Sequence, residues 1–284
     1  MSPETMALVA EPAIRAALLE DMPFGDVSCD AVALRPRRAR VLLIAKGDGV
    51  ICGLDVFERA FRLLDPTARL VAEIGEGDDV AAGQTLGAVE GDVRALLSAE
   101  RVALNLLQRM SGIATHTRAM VRMLEGTGIR LVDTRKTTPG LRVFEKEAVR
   151  VGGAGNHRFC LSDGVMLKDN HLDAAGGIAA GVAAARERAP FVRKVEVEVE
   201  TLGQVAEAVE AGADIVMLDN MGHDAMAAAV ALIDGRAEVE VSGNVDETRV
   251  AELADLGVDY VSSGALTHSS PILDLSLKHL EYLD

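Results

Sequence analysis

Residues 194–243 read KVEVEVETLGQVAEAVEAGADIVMLDNMGHDAMAAAVALIDGRAEVEVSG, and their pattern decides the fold. Three short β-branched runs, KVEVEVE, DIVMLDN and AEVEVSG, end in polar residues. Between them lie stretches such as TLGQVAEAVEAGA, where Ala, Val and Leu recur at helical spacing before a closing Gly. Parallel strands need a crossover between them, usually a helix, so this alternation predicts parallel βα units.

The same grammar continues in both directions. Upstream lie IRLVDTRK (129–136) and GVMLKDN (164–170). Downstream, the helical stretch DETRVAELADLGV (246–258) leads into DYVSSGA (259–265). Six such units and the segment before them predict an α/β fold built on a β/α barrel, with room for fewer than eight strands. Each run places charged or hydroxyl residues at its C-terminal end: Asp133 with Arg135 and Lys136, then Lys168, Glu198, Asp219, Ser242 and Ser263. In β/α barrels that end is where chemistry is assembled. One polar strand end is ordinary chain termination, whereas six at one mouth make a site.

The region before residue 110 has a different character. ARVLLIAKGDGVICGLDVFERAFRLLD reads as strand, turn and helix, and ARLVAEIGEGDDVAAGQTLGAVEGDV as β-rich with turns at GEGDD and AAGQ. The second stretch resembles the hairpins of biotinyl and lipoyl carriers, which need a tip lysine, and Ile74 to Val93 contains none. A structural β-rich domain is the reading. A long helix beginning near Arg94 follows, with Ser111 and Gly112 marking a break. Leu96, Leu97, Ala103, Leu104 and Leu107 share one apolar face, with Glu100 in its middle and Arg101 on its margin.

Composition narrows the function. The 284 residues are 49% hydrophobic, enough for a substantial core. The N-terminus MSPETMALVAEPAIR lacks the pattern of a signal peptide, and no long uncharged apolar run appears, which predicts a cytoplasmic protein without membrane attachment. Cys29, Cys52 and Cys160 fit neither a disulfide framework nor a metal knuckle and read as small core residues. A net charge of -15, no Trp and 3% aromatics argue against a nucleic-acid partner. Within this acidic chain, residues 130–168 carry eight basic residues against four acidic ones, a basic island that could focus a field on an anionic ligand. Arg142, Lys146 and Arg150 read as solvated helix residues, and His116 and His223 as surface or loop histidines.

The segment DTRKTTPGLRVFEKEAVRVGGAGNHRFCLSDGVMLKDNH (133–171) resembles the active-site region of the quinolinate phosphoribosyltransferase family. Collinear motifs agree: FGDVS from Phe24, SAERVALNLLQRMSGIAT from Ser98, VEVEVETL from Val195, IVMLDN from Ile215, EVSGN from Glu240 and SSGALTHS from Ser262. The resemblance covers nearly the whole chain. It implies an N-terminal α/β sandwich domain (1–110), an incomplete seven-stranded β/α barrel (111–266) and a C-terminal tail (267–284) that returns to complete the sandwich. It also implies a homodimer or a hexamer of dimers, each barrel mouth covered by the partner's N-terminal domain.

The implied reaction transfers phosphoribosyl from phosphoribosyl pyrophosphate to quinolinate with decarboxylation, giving nicotinate mononucleotide for NAD synthesis. By resemblance Arg135 and Arg158 hold the quinolinate carboxylates, with Thr134 and His157 beside them and Arg101 supplied in trans. Arginine suits a carboxylate because its guanidinium is a two-pronged donor. Lys136 and Lys168 meet the phosphoribosyl donor and its pyrophosphate. Ser242, Gly243, Asn244, Ser263, Gly264 and Ala265 bind the ribose phosphate end through small residues and backbone amides. Glu198 and Asp219 stabilise the positive charge that develops on the ribose, and orient its hydroxyls and Mg²⁺, which arrives with the donor. Lys136, Lys168, Glu198 and Asp219 form the catalytic set.

This chain departs from the family pattern at Ala154, where a third successive glycine is usual, and at Phe159 and Cys160. A positive φ at Ala154 would be strained. Two rivals stand beside the enzyme: a molybdenum-transport-associated paralogue of similar fold, and a non-catalytic barrel that binds a phosphorylated metabolite as a regulator. Asn156–Arg158 and the KDNH beginning at Lys168 favour the enzyme, and a regulator would leave Glu198, Asp219 and the arginines without a task.

Overall fold

The computed structural model describes residues 1–32 and 35–283. Its strands are β1 (Arg38–Ala45), β2 (Gly49–Val50), β3 (Arg69–Ala72), β4 (Asp79–Val80), β5 (Thr85–Asp92), β6 (Arg130–Val132), β7 (Val165–Leu167), β8 (Val195–Val199), β9 (Ile215–Asp219), β10 (Glu238–Ser242), β11 (Tyr260–Ser262) and β12 (Leu275–Tyr282). The chain forms two compact units. One comprises Met1–Arg118, Thr137–Gly153 and Ser270–Asp284, and the other Ala119–Lys136 and Ala154–Ser269.

In the first unit the sheet runs β12-β1-β5-β3, antiparallel throughout, with a separate β2-β4 ribbon. The C-terminal strand β12 thus pairs with β1, Leu275 opposite Ala45. The helix Val93–Met123 begins where β5 ends and runs without interruption through Ser111 and Gly112, so the break expected there does not occur. The small residues answer to packing. Ser111 Oγ accepts the Cys52 amide at 3.0 Å, and a Cβ on Gly112 would stand 1.9 Å from the Pro271 carbonyl oxygen. Leu96, Ala103, Leu104 and Leu107 are buried as the periodicity requires, whereas Leu97 is 37% exposed and does not belong to that face.

The helix Arg142–Gly152 corrects another expectation. Lys146 is buried, as are its neighbours Phe144, Glu145 and Ala148, because this turn is enclosed on more than one side. Glu145 accepts Arg109 Nη2 at 2.9 Å and the Thr138 amide at 3.0 Å, which pairs a charge that burial would otherwise penalise. Arg142 Nε donates to Thr137 Oγ1 at 3.0 Å, and Arg150 is exposed as expected, paired with Glu147. Gly153 caps this helix at φ 105°, and Ala154 is not among the residues with positive φ, so the strain considered for it does not arise.

The second unit contains a parallel sheet of six strands in the order β6-β11-β10-β9-β8-β7. Beyond β6, Val132 makes an isolated parallel bridge to Gly155. All six quoted runs are strands. In β8, Val195, Val197 and Val199 are buried on one face and Glu196 on the other, so the alternation VEVEV marks a sheet covered on both sides. The crossover helices start as the sequence suggests. Leu202–Glu210 opens with a capping box between Thr201 and Gln204, and Glu247–Glu252 with Asp246 accepting the Arg249 amide. Among the described residues no helix is long and apolar enough to cross a membrane.

Candidate active site

Strand ends and the loops that follow them enclose a cavity of about 410 Å³. Thr134, Arg135 and Lys136 come from the segment after β6, His157 and Arg158 from the loop after the Gly155 bridge, and Lys168, Glu198, Asp219, Ser242, Gly243 and Asn244 from the ends of β7 to β10. The sheet brings together residues that are far apart in sequence because all its strands point the same way, so every C-terminal end lies at one edge.

The cations differ in how they are held. Arg158 Nη1 donates to the Gly164 carbonyl at 3.0 Å. Burial, and then the positive charge of Arg135, lowers its pKa from the usual guanidinium value. Arg135 has no ion pair among the described residues, and its Nε is buried without a hydrogen-bond partner. Two guanidinium groups that repel each other, one with an orphaned buried donor, form a site made for an anion. Lys168 Nζ pairs with Glu198 Oε2. Lys136 has no ion pair among the described residues and lies along the loop after β11, where a Cβ on Gly264 would meet its Cδ at 2.9 Å.

Beneath the cavity is a buried cluster. His157 Nε2 lies 3.2 Å from Glu196 Oε2 and 3.5 Å from Glu240 Oε2, and both carboxylates are almost fully buried. Burial opposes a charged ring, yet hydrogen bonding and charge from Glu196 and Glu240 outweigh it and raise the His157 pKa to about 10. The Arg158 amide approaches Nδ1 at 2.7 Å. An Nδ1 that accepts this bond carries no proton, so the backbone favours the neutral ring while the carboxylates favour the imidazolium. In either state Nε2 is turned to the carboxylates, and His157 enters the cavity as a clamped ring. The ligand atoms of His157, Glu196 and Glu240 lie within 4.8 Å of one another, close enough to hold a metal ion. At the cavity wall Glu198 and Asp219 offer the carboxylate oxygens that suit a hard cation accompanying a phosphate.

Several expected residues stand apart. Ser263 is buried, and its hydroxyl donates to the Val245 carbonyl at 2.6 Å; neither it, Gly264 nor Ala265 lines the cavity. Ser262 lines it instead. Arg101 is exposed on the helix Val93–Met123 in the first unit and is not a lining residue. Met166, Met217, Asn220 and Glu240 also line the cavity, beyond the residues the sequence points to. Three of them follow a simple rule. Met166, Met217 and Glu240 lie two residues before Lys168, Asp219 and Ser242, and strand residues two apart share a face.

The family models for the quinolinate phosphoribosyl transferase N-terminal and C-terminal domains match residues 26–111 and 113–278. The chain belongs to the quinolinate phosphoribosyl transferase family. A probable carboxylating nicotinate-nucleotide pyrophosphorylase from Synechocystis is 44% identical over 95% of this chain and 92% of its own length. A decarboxylating quinolinate phosphoribosyltransferase from Nicotiana tabacum is 41% identical over 93% of this chain and 81% of its own. Among solved structures, NadC from Streptococcus pyogenes superposes with a TM-score of 0.94 at 48% identity, covering 100% of this chain and 99% of that one. The family's name and the cavity's chemistry agree, for a site rich in guanidinium and ammonium groups suits a dicarboxylate and a polyphosphate.

Proposed function

We propose that this chain transfers a phosphoribosyl group from phosphoribosyl pyrophosphate to quinolinate and releases CO2, yielding nicotinate mononucleotide for NAD synthesis. One observation carries the reading beyond family membership: Arg135 and Arg158 share a cavity with Lys168, Glu198 and Asp219, and Arg135 has no anionic partner among the described residues. A dianion between the two guanidinium groups removes their repulsion and satisfies the buried Nε. The apolar side chains of Met166 and Met217 supply wall for a flat ring.

In this reading Arg135, Arg158, Thr134 and the clamped His157 orient quinolinate so that its ring nitrogen faces the ribose. Lys136 and Lys168 hold the phosphates of the donor, and Glu198 and Asp219 would supply carboxylate oxygens to the Mg²⁺ that accompanies it. Ser242, Gly243 and Asn244 receive the ribose phosphate, with Ser263, Gly264 and Ala265 shaping the neighbouring loop. As the bond to pyrophosphate breaks, Glu198 and Asp219 stabilise the positive charge on the ribose. The N–C bond that forms leaves the pyridine nitrogen cationic. Loss of the adjacent carboxylate as CO2 then leaves its electron pair on C2 as an ylide, which takes up a proton.

An incomplete seven-stranded barrel belongs to the same proposal, supported by the Val132–Gly155 bridge beside β6. So do the sandwich domain completed by the tail, supported by the β12–β1 pairing, and a cytoplasmic homodimer or hexamer of dimers in which Arg101 acts in trans. Purified protein given Mg²⁺, phosphoribosyl pyrophosphate and quinolinate is expected to form nicotinate mononucleotide. Product from nicotinate or another base, with none from quinolinate, would overturn the substrate assignment.

A further inference from the structure

Asp219 ends β9 at the cavity wall, and the residue after it does something a strand neighbour normally cannot. In an extended strand, adjacent side chains point to opposite faces. Asn220 instead adopts a left-handed conformation, φ 52°, which turns its side chain back so that Nδ2 donates to Asp219 Oδ2 at 2.8 Å. The amide cannot be reversed, because its oxygen would then face a carboxylate that has only acceptors. Its own oxygen accepts Asn244 Nδ2 at 3.1 Å, and its backbone amide donates to the Ser242 carbonyl at 3.2 Å.

Asn244 is itself left-handed, φ 50°, one residue beyond Gly243 at φ 94°. A Cβ on Gly243 would stand 2.3 Å from Asn220 Oδ1. Gly243 is therefore required twice, for its backbone angle and for the space in which the Asn220 amide sits. The ends of β9 and β10 are joined by a chain of amides from Asn244 through Asn220 to Asp219, and all three residues line the cavity. The chain engages Oδ2 of Asp219, and no hydrogen bond to Oδ1 is present among the described residues.

We propose that Asn220 is a positioning residue for phosphoribosyl transfer: its amide, oriented by Asn244 and seated against Gly243, fixes the Asp219 carboxylate toward the ribose. This rests on the transferase reading above. Asn244 then acts through Asn220 as well as at the phosphate end.

The test combines Asn220→Gly, Asn220→Asp and Asp219→Ala. Glycine keeps the left-handed backbone and deletes the amide; aspartate keeps the shape and the backbone preference but replaces the donor with a second carboxylate. Both Asn220 variants are expected to lower kcat with phosphoribosyl pyrophosphate about ten- to hundredfold, the loss expected of a hydrogen bond to a charged group. Quinolinate affinity, measured by calorimetry, should change less than about twofold, because Arg135 and Arg158 are untouched. Adding Asn220→Gly to Asp219→Ala should cost nothing further, since the amide then has no carboxylate to hold. Full activity in Asn220→Gly, or an undiminished further loss in the Asp219→Ala background, would overturn the assignment alone. Absence of turnover by the unaltered protein would overturn the transferase reading and the assignment with it.

Discussion

Asp133 Oδ1 accepts the backbone N–H of His157 at 2.8 Å, while Oδ2 accepts the Asn156 side-chain amide at the same distance. Asp133 is wholly buried at the end of β6 and thus ties the loop carrying His157 and Arg158 to the sheet. The sequence marks this aspartate as a polar strand end at the barrel mouth, and the structure buries it without placing it in the cavity lining. Asp133→Ala removes charge-assisted bonds of about 1.5–3 kcal/mol each. Its expected signature is a lower thermal midpoint together with loss of quinolinate binding by calorimetry. Asp133→Asn, which retains one acceptor oxygen, should fall between the alanine variant and the unaltered protein. Unchanged quinolinate affinity in Asp133→Ala would show that the loop holds its shape without the tie.

Gly112 gives a second prediction. Its Cβ would meet the Pro271 carbonyl oxygen at 1.9 Å and Ile272 Cα at 2.8 Å, both backbone atoms that cannot rotate away. Alanine favours a helix intrinsically, so propensity alone predicts stabilisation by Gly112→Ala of about 1 kcal/mol. Overpacking of about 1–3 kcal/mol opposes this, and with backbone contacts so short it should win. The variant is expected to melt several degrees lower. A higher melting point would mean that the segment at Pro271 yields freely.

Glu147 sets an acid dependence. Hydrogen bonding from Arg150, and then from the Met1 α-amino group, lowers its pKa to about 2 against a burial effect that would raise it. A carboxylate whose folded pKa lies below its unfolded value, about 4.3, stabilises the fold above that value and loses the contribution as pH falls through 2. The protein should therefore be more stable than Glu147→Gln at pH 6, with the gap narrowing between about pH 4.5 and 2 in urea titrations. A gap that stays constant with pH would mean that these partners do not favour the charged form.

The six parallel strands were legible because each combines β-branched residues with a helical crossover of readable period. Strand direction then delivers Lys168, Glu198, Asp219 and Ser242 to one edge, so most of the candidate site was legible too. Other features were hidden for identifiable reasons. Ser111 and Gly112 look like a helix break because sequence carries no sign of the Pro271 backbone that makes Gly112 necessary. Lys146 looks solvated because charge normally implies water, and the enclosure of its helix turn is a tertiary fact. The role of Asn220 is hidden as well, since a left-handed turn that folds an amide back onto its neighbour has no periodic signature.

The sequence by itself determined the order of the elements, the parallel sheet and the identity of the groups at its edge, because hydrophobic period and strand direction are local properties. Only the tertiary structure decided how those groups are held. Arg135 buries an Nε without a hydrogen-bond partner, and His157 Nε2 lies beside the carboxylates of Glu196 and Glu240. Asp133 holds the loop of His157 from below, and Asp219 accepts the side-chain amide of Asn220. Each relationship joins atoms through an angle or a close approach, and such geometry is fixed only when the strands have packed.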